Sequence, residues 1–271
     1  MDNNTNILKV KQTNFQKPMP YIITICSGKG GVGKSVMAAN IASSITNDDL
    51  SVLLWDADRQ FPNLHLILGV DPPVRLNEVY EGHLRINKAI FALNENFSLL
   101  ADEAADGEQK NISSAAIFEV YRQIIQISDH DVIIIDAQAG VTEDVIQCCK
   151  ISDLIICIVN DEPTSLLDAY ALIKILTQIL ETDKISILIN NVIDTDDASE
   201  IYEKLNLATD KFLHRRFDTL GYVPYDRAVR RSIQRQELFV DVYPDSDVTL
   251  SVRKIASILS NRIKNNEFEI V

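Results

Sequence analysis

From Tyr21 onward, short runs of consecutive Ile, Val and Leu alternate with longer stretches in which apolar residues recur every three or four positions. The short runs predict strands at Tyr21–Cys26, Val52–Trp55, Phe97–Leu100, Asp131–Ile135, Leu154–Val159, Ile185–Ile189 and Thr219–Val223. A strand with one wet face alternates apolar and polar residues, whereas a nearly continuous apolar run marks a strand covered on both faces. Helices are predicted near 34–47, 112–128, 141–151, 163–181, 197–213, 226–236 and 247–264. Strand–helix alternation through the whole pattern predicts an α/β fold, a doubly wound and mostly parallel sheet with helices on both faces. Within 197–213, Ile201, Leu205, Ala208 and Phe212 are spaced as one buried stripe, and Val248, Val252, Ile255, Leu259 and Ile263 repeat that spacing near the end. No repeat or Gly/Ser/Pro linker interrupts the pattern. Residues 20–264 are therefore expected to form a single domain, with a flexible N-terminal tail over 1–19 and a short C-terminal tail over 265–271.

Composition narrows the class without changing that picture. Apolar residues make up 46% of 271 positions and charged residues 24%, which excludes disordered, collagen-like and disulfide-scaffold chains. The balance of 26 Lys and Arg against 39 Asp and Glu leaves a net charge of −13, a field that disfavours bulk binding to DNA. Cys26, Cys148, Cys149 and Cys157 lie in apolar stretches without a C-x-x-C pair, so no zinc or iron–sulfur site is suggested and a reducing cytoplasm is expected. No apolar run approaches the roughly 18 residues of a membrane span. The polar stretch ending in Lys17-Pro18-Met19-Pro20 lacks the apolar core of a signal peptide.

The chemistry begins where the first predicted strand ends. Gly28-Lys29-Gly30-Gly31-Val32-Gly33-Lys34-Ser35 fits G-x-x-x-x-G-K-[ST] between a strand and a helix, the context that pattern requires. The glycines let backbone N–H groups wrap a phosphate, Lys34 reaches the outer phosphates, and the Ser35 hydroxyl is placed to ligate Mg²⁺. Asp136 follows Val132-Ile133-Ile134-Ile135, a strand-end carboxylate of the kind that holds a Mg²⁺ shell. Gly140 would let the next loop approach a γ-phosphate. Asp56 and Asp58, at the end of the Val52–Trp55 run, are two positions apart and so point the same way.

With Lys29 inside it, this loop resembles the deviant Walker A motif of the MinD/ParA class of ATPases. Asp56-Ala57-Asp58 with Asn63 resembles the first switch segment of that class, and Asp136-Ala137-Gln138-Ala139-Gly140 the second. The resemblance implies ATP or ADP and Mg²⁺ as cofactors, bound by Gly28 through Val36 with Asn63 and Gly140. It implies Lys34 and Lys29 on phosphates, Lys29 across a dimer interface, Asp58 orienting the attacking water, and Ser35, Asp56 and Asp136 at the metal. Asn190, Pro224 and Asp226 fall where the class holds adenine.

Glu162-Pro163-Thr164-Ser165, Asp168-Ala169-Tyr170 and Ile173-Lys174, with Leu220-Gly221-Tyr222-Val223-Pro224-Tyr225-Asp226-Arg227-Ala228-Val229, look like the branch of flagellar-number regulators called FlhG or FleN. That branch implies an ATP-dependent homodimer and a regulatory protein partner: a flagellar GTPase, a flagellar transcription factor or a switch component. Division-site positioning at the membrane and ParA-like cargo segregation stand as the alternatives. Three departures bear on this. The N-terminal tail lacks the Asp-Gln and Leu-Arg element with which FlhG-type proteins stimulate their GTPase. His65 replaces an acidic residue, and Arg59-Gln60-Phe61-Pro62 is bulkier than the usual approach to Asn63. The segment from Asn265 to Val271 is acidic where MinD carries a basic membrane helix, which weakens peripheral attachment at the inner face of the membrane. Of Arg227, Arg230, Arg231 and Arg235, most share one predicted helix face, read either as a solvated surface or as an anion- or partner-facing patch.

Overall fold

The computed structural model describes residues 19–103, 114–180 and 183–265; most of the two expected tails, and the ends of the predicted 112–128 and 163–181 helices, lie outside the described residues. The strands are β1 Tyr21–Ser27, β2 Val52–Ala57, β3 Ile90–Ala92, β4 Phe97–Leu100, β5 Val132–Ala139, β6 Leu154–Val159, β7 Ile185–Val192 and β8 Asp218–Pro224. The helices are α1 Lys34–Thr46, α2 Leu64–Ile67, α3 Leu76–Tyr80, α4 Ser114–Ile127, α5 Glu143–Ile151, α6 Pro163–Leu180, α7 Thr195–Leu213, α8 Arg227–Arg235, α9 Phe239–Val242 and α10 Asp247–Lys264.

The strands form one sheet in the order β3-β4-β2-β5-β1-β6-β7-β8, parallel throughout except for β3, which pairs antiparallel with β4 at the edge. Successive strand residues point to opposite faces. Ile22, Leu53, Trp55 and Ile133 accordingly join a core that includes Tyr121 of α4, Leu176 of α6 and Ile201 of α7. Ile23, Leu54 and Ile134 join a second core with Met37 of α1, Phe239 of α9 and Val252 of α10. This two-sided burial is why the runs are apolar at every position rather than at alternate ones. Trp55, fully buried, meets Tyr121 edge-on with ring centroids 4.5 Å apart, worth about 1 kcal/mol beyond area burial.

Element boundaries depart from the sequence reading for identifiable reasons. β2 and β5 continue past their apolar runs because Asp56 pairs with Asp136 and Ala57 with Ala137 in the ladder, so both carboxylates lie inside strands rather than after them. β3 has three residues, and α2, α3 and α9 four or five, too few to show a period. Caps set the other ends. Thr142 Oγ1 accepts from Val145 N, so α5 begins at Glu143. Asp194 accepts from Asp196 N and Asp197 N, so α7 begins at Thr195, ahead of the expected 197.

The stripe expected on α7 is corrected. Ile201 and Leu205 are buried, but Phe212 is 63% exposed, with Tyr170 at its edge and Lys211 over its ring. Asn206 and Thr209 occupy the buried line instead. Asn206 is admitted because its amide satisfies Phe217 N–H and C=O, and Thr209 because its hydroxyl donates to Asn206 O. Hydrophobic spacing could not reveal that polar pair.

Candidate functional site

Three adjacent central strands deliver their C-terminal ends to one place. β1 runs into the glycine-rich loop, β5 brings Asp136 beside Ile25, and β2 brings Asp56 beside Asp136. Neighbouring parallel strands whose helices cross to opposite faces open a crevice at this end of a sheet, where α/β proteins bind ligands. The loop is held close to the body: a Cβ on Gly28 would lie 2.2 Å from the Asp168 carbonyl carbon of α6, and one on Gly33 2.3 Å from Asn190 Nδ2. Gly33 also has φ 92° and stands at the N-cap of α1, whose first turn has no side-chain cap and no acidic residue. The first N–H groups of α1 are thus free of side-chain competitors for an anion. Around Gly30 and Gly31 an added Cβ would meet nothing within 4 Å, so the loop faces open space.

Lys34 Nζ donates to Asp136 Oδ1 at 2.6 Å, with Lys34 7% exposed and Asp136 fully buried. Burial works against the Lys34 ammonium, but Asp136, and then Asp58 and Asp56, hold its pKa above the usual lysine value. Burial pushes the Asp136 carboxyl up, and Lys34 and the Ser35 hydroxyl only partly pull it back. Asp56 is raised well above the ordinary range, first by burial and then by the charge of Asp136. Three buried carboxylates share one buried ammonium, an arrangement short of positive charge. Asp136 Oδ2 and Asn63 Oδ1 are buried with no hydrogen-bond partner. These unsatisfied oxygens, the open glycines and the uncapped helix fit a nucleotide triphosphate with a divalent cation.

The structure redistributes some of the expected parts. Asp56 Oδ2 accepts from Asn63 N at 2.9 Å and Leu64 N at 3.0 Å, and its Oδ1 from Asp58 N at 3.3 Å, so its carboxylate organises the switch turn in addition to facing the cluster. Asp58 is 9% exposed, and its Oδ1 accepts from Phe61 N at 3.0 Å. The Gly140 N–H donates to Ser27 O at 2.8 Å and is already engaged. Lys29 stands apart from the buried cluster: its Nζ forms an ion pair with Glu162 and donates to Thr164 Oγ1 at 3.0 Å, both at the start of α6.

Beside the loop, Gly31, Gly33, Val36, Asn190, Pro224 and Asp226 line a cavity of about 370 Å³. Asn190 Nδ2 donates to Val32 O at 2.7 Å, and Asp226 Oδ1 caps α8 at Ala228 N at 2.8 Å. Met37, Val229 and Ile233 supply apolar walls, residues to which the sequence alone assigned no role in a site. The signal for the last two was present, since they lie four apart on the only apolar edge of the arginine-rich α8.

The family described as CobQ/CobB/MinD/ParA nucleotide binding domain matches residues 23–239. The chain belongs to this family. It is a nucleotide-binding P-loop ATPase of the MinD/ParA type, and both the loop and the strand-end carboxylates lie inside the match. The chain is similar to the antiactivator FleN of Pseudomonas aeruginosa, 28% identical over 248 residues that cover 91% of this chain and 88% of that protein. It is also similar to the flagellum site-determining protein YlxH of Helicobacter pylori, at 26% identity with 100% of this chain and 92% of that protein covered. The cell division ATPase MinD of Pyrococcus furiosus shares the fold, with a TM-score of 0.77 at 24% identity over 90% of this chain and 99% of that one. MinD of Pyrococcus horikoshii, solved as a complex with Mg-ADP, superposes with a TM-score of 0.76 at 23% identity over 93% of this chain and 100% of that one. Among the described residues no helix is long and apolar enough to cross a membrane.

Proposed function

We propose that this chain is an ATP-hydrolysing, ATP-dependent dimerising switch that regulates the placement or number of flagella through a regulatory protein partner, with residues 20–264 acting as one ATPase unit. The observation that carries it is the separation of the two lysines of one loop. Lys34 is buried in the carboxylate cluster, while Lys29 is held outside it on α6. A lysine excluded from its own site is available to a second copy's nucleotide. The flagellar assignment is supported by the likeness to FleN and YlxH over nine-tenths or more of the chain.

Bound Mg²⁺ and ATP would supply the reacting phosphoryl group and the positive charge that the cluster lacks. Lys34 would exchange Asp136 for phosphate oxygens, freeing Asp136 with Ser35 to hold the metal shell. Asp58 would orient the attacking water, and Lys29 of a second copy would neutralise charge developing on the phosphate. Catalysis of this kind is positioning and electrostatics, and the two switch segments would order around the γ-phosphate and relax after hydrolysis. Slow turnover, dependence on Mg²⁺ and control by a partner belong to the same proposal.

The test is Asp58→Ala with ATP and Mg²⁺, followed by light scattering and phosphate release. Twice the monomer mass without phosphate release is expected. A variant that stays monomeric with ATP, or that hydrolyses ATP at the parental rate, overturns the switch. Deleting the gene and counting flagella per cell tests the biological assignment separately; an unchanged count overturns it.

A further inference from the structure

The residue after Asp58 is held by parts of the molecule that neither phosphate nor metal binding requires. The Arg59 guanidinium carbon lies 5.3 Å from the centroid of the Tyr80 ring of α3. Arg59 Nη1 is 3.5 Å from Asp144 Oδ2, in the first turn of α5, with the two side chains 24% and 29% exposed. Asp102, just past β4 and 2% exposed, is pushed up by burial to about 6 and pulled back by the backbone N–H of Glu103, by the Arg59 charge and by the Asn77 backbone. One planar cation therefore meets an aromatic face of α3 and a carboxylate of α5, with its charge also felt by Asp102, which suits arginine and not lysine.

The turn it anchors has little else to hold its outer part. Gln60 is exposed and Phe61 is 74% exposed. Among the described residues the turn's other ties are the buried ring of Pro62 and backbone N–H groups received by Asp56 and Asp58 themselves. Asp58 therefore takes its direction from a turn whose outer side-chain anchor is Arg59. Asp144 lies four residues beyond Gly140, so the same ion pair joins the first switch turn to the helix that follows the second switch segment.

We infer that Arg59 is a positioning residue for Asp58, an electrostatic strap that couples the two switch segments. This rests on the reading that Asp58 orients the attacking water. At 3.5 Å the Arg59–Asp144 contact is a charge interaction rather than a tight hydrogen bond, so small movements of either switch make or release it.

The experiment uses the full chain and compares parent, Arg59→Met, Arg59→Lys, Asp144→Asn and the double variant Arg59→Met/Asp144→Asn in steady-state ATP turnover, with melting temperatures alongside. Arg59→Met is expected to lower kcat about tenfold while KM for ATP stays within about twofold, the split left by a group that acts only on the reacting geometry. Asp144→Asn is expected to lower kcat about threefold, Arg59→Lys to recover part of the Arg59→Met loss, and the double variant to be no worse than Arg59→Met alone. Unchanged kcat in Arg59→Met, additive losses in the double variant, or losses that follow melting temperature and KM together overturn the inference. Asp144→Asn, on a partly exposed side chain, reads the same link if Arg59→Met folds poorly. Asp58→Ala in the same series separates the two claims. Parental turnover there overturns the role of Asp58 itself, whereas its loss beside an unaffected Arg59→Met overturns only the strap.

Discussion

Lys34 and Lys29 leave the same loop five residues apart and enter opposite environments. Lys34 lies among Asp56, Asp58 and Asp136 at the buried ends of β2 and β5, where an unpaired charge is costly and a paired one is strongly held. Lys29 has 35% of its side chain exposed, and its partner Glu162 has 53%, so water competes for both. The lesson is that one motif can contain a part finished at folding and a part left adjustable. The buried half is set by the sheet register, since Asp56 and Asp136 are ladder partners. The exposed half is set by a contact that the chain can exchange for another.

The largest test of this contrast is Lys34→Ala. Losing the buried ammonium leaves three crowded carboxylates without a countercharge and, under the proposed function, removes a phosphate ligand. Nucleotide affinity by calorimetry is expected to fall more than about a hundredfold, the scale of a lost buried charge pair. Affinity within a factor of a few of the parent would show that Lys34 belongs to the fold and not to the ligand. Lys29→Ala should behave differently. Nucleotide binding to the monomer should change by less than about threefold, because the lysine is not aimed into its own site. ATP-dependent dimer mass and turnover should both collapse, turnover by about tenfold to a hundredfold, as for removal of one charge-stabilising group. Equal losses of monomer binding in the two variants would erase the distinction.

Asp102 sharpens the buried side through pH. Its folded pKa of about 6 stands above the ordinary 3.8, mainly from burial. Between 3.8 and about 6 the folded chain therefore keeps a proton that the unfolded chain has lost, and unfolding releases it. This group's contribution is favourable below 3.8 and is lost as pH rises through about 6. Asp102→Asn should accordingly be more stable than the parent at pH 8, by about 1 to 2 kcal/mol, with a smaller gap at pH 5. The gain stays below the full shift because Arg59 loses a countercharge. Chemical denaturation at the two pH values checks it; a gap that grows at pH 5 contradicts the assignment.

The two halves were also unequally legible in the sequence. The buried half was readable because strand, loop and helix order fix it: once Gly28 to Ser35 follows β1, the strand-end acids Asp56 and Asp136 can only arrive at the same edge. What could not be read was which atoms were already engaged. Asp56 spends its oxygens on Asn63, Leu64 and Asp58 N–H groups, and Gly140 donates to Ser27, because backbone turns follow three-dimensional closure and not residue type. The sequence set Lys29 apart from its own site, but its contact with Glu162 was invisible for a related reason. Glu162 is 133 residues from Lys29, and only the β1–β6 pairing and the close approach of Gly28 to Asp168 bring the start of α6 against the loop. On α7, polar Asn206 is buried because its amide satisfies the backbone of Phe217, while Phe212 stays exposed, which no apolar period encodes.

The smallest effect belongs to the contact that defines the exposed half. Lys29 and its hydrogen bonds hold the Glu162 carboxyl below the usual range, so the pair is formed at neutral pH and weakens as Glu162 takes up a proton. Glu162→Gln keeps the shape and removes the charge, leaving Thr164 to hold Lys29 alone. If this contact restrains Lys29 until a second copy arrives, the variant should dimerise with ATP faster than the parent. The gain should be no more than about fivefold, because solvent-exposed pairs are weak. Raising the salt should bring parent and variant together, since screening loosens the parental pair and has nothing to act on in the variant. Stopped-flow light scattering at two salt concentrations resolves both effects. Slower dimerisation in Glu162→Gln would instead place Glu162 on the productive side of the interface, contacting the second copy rather than restraining Lys29.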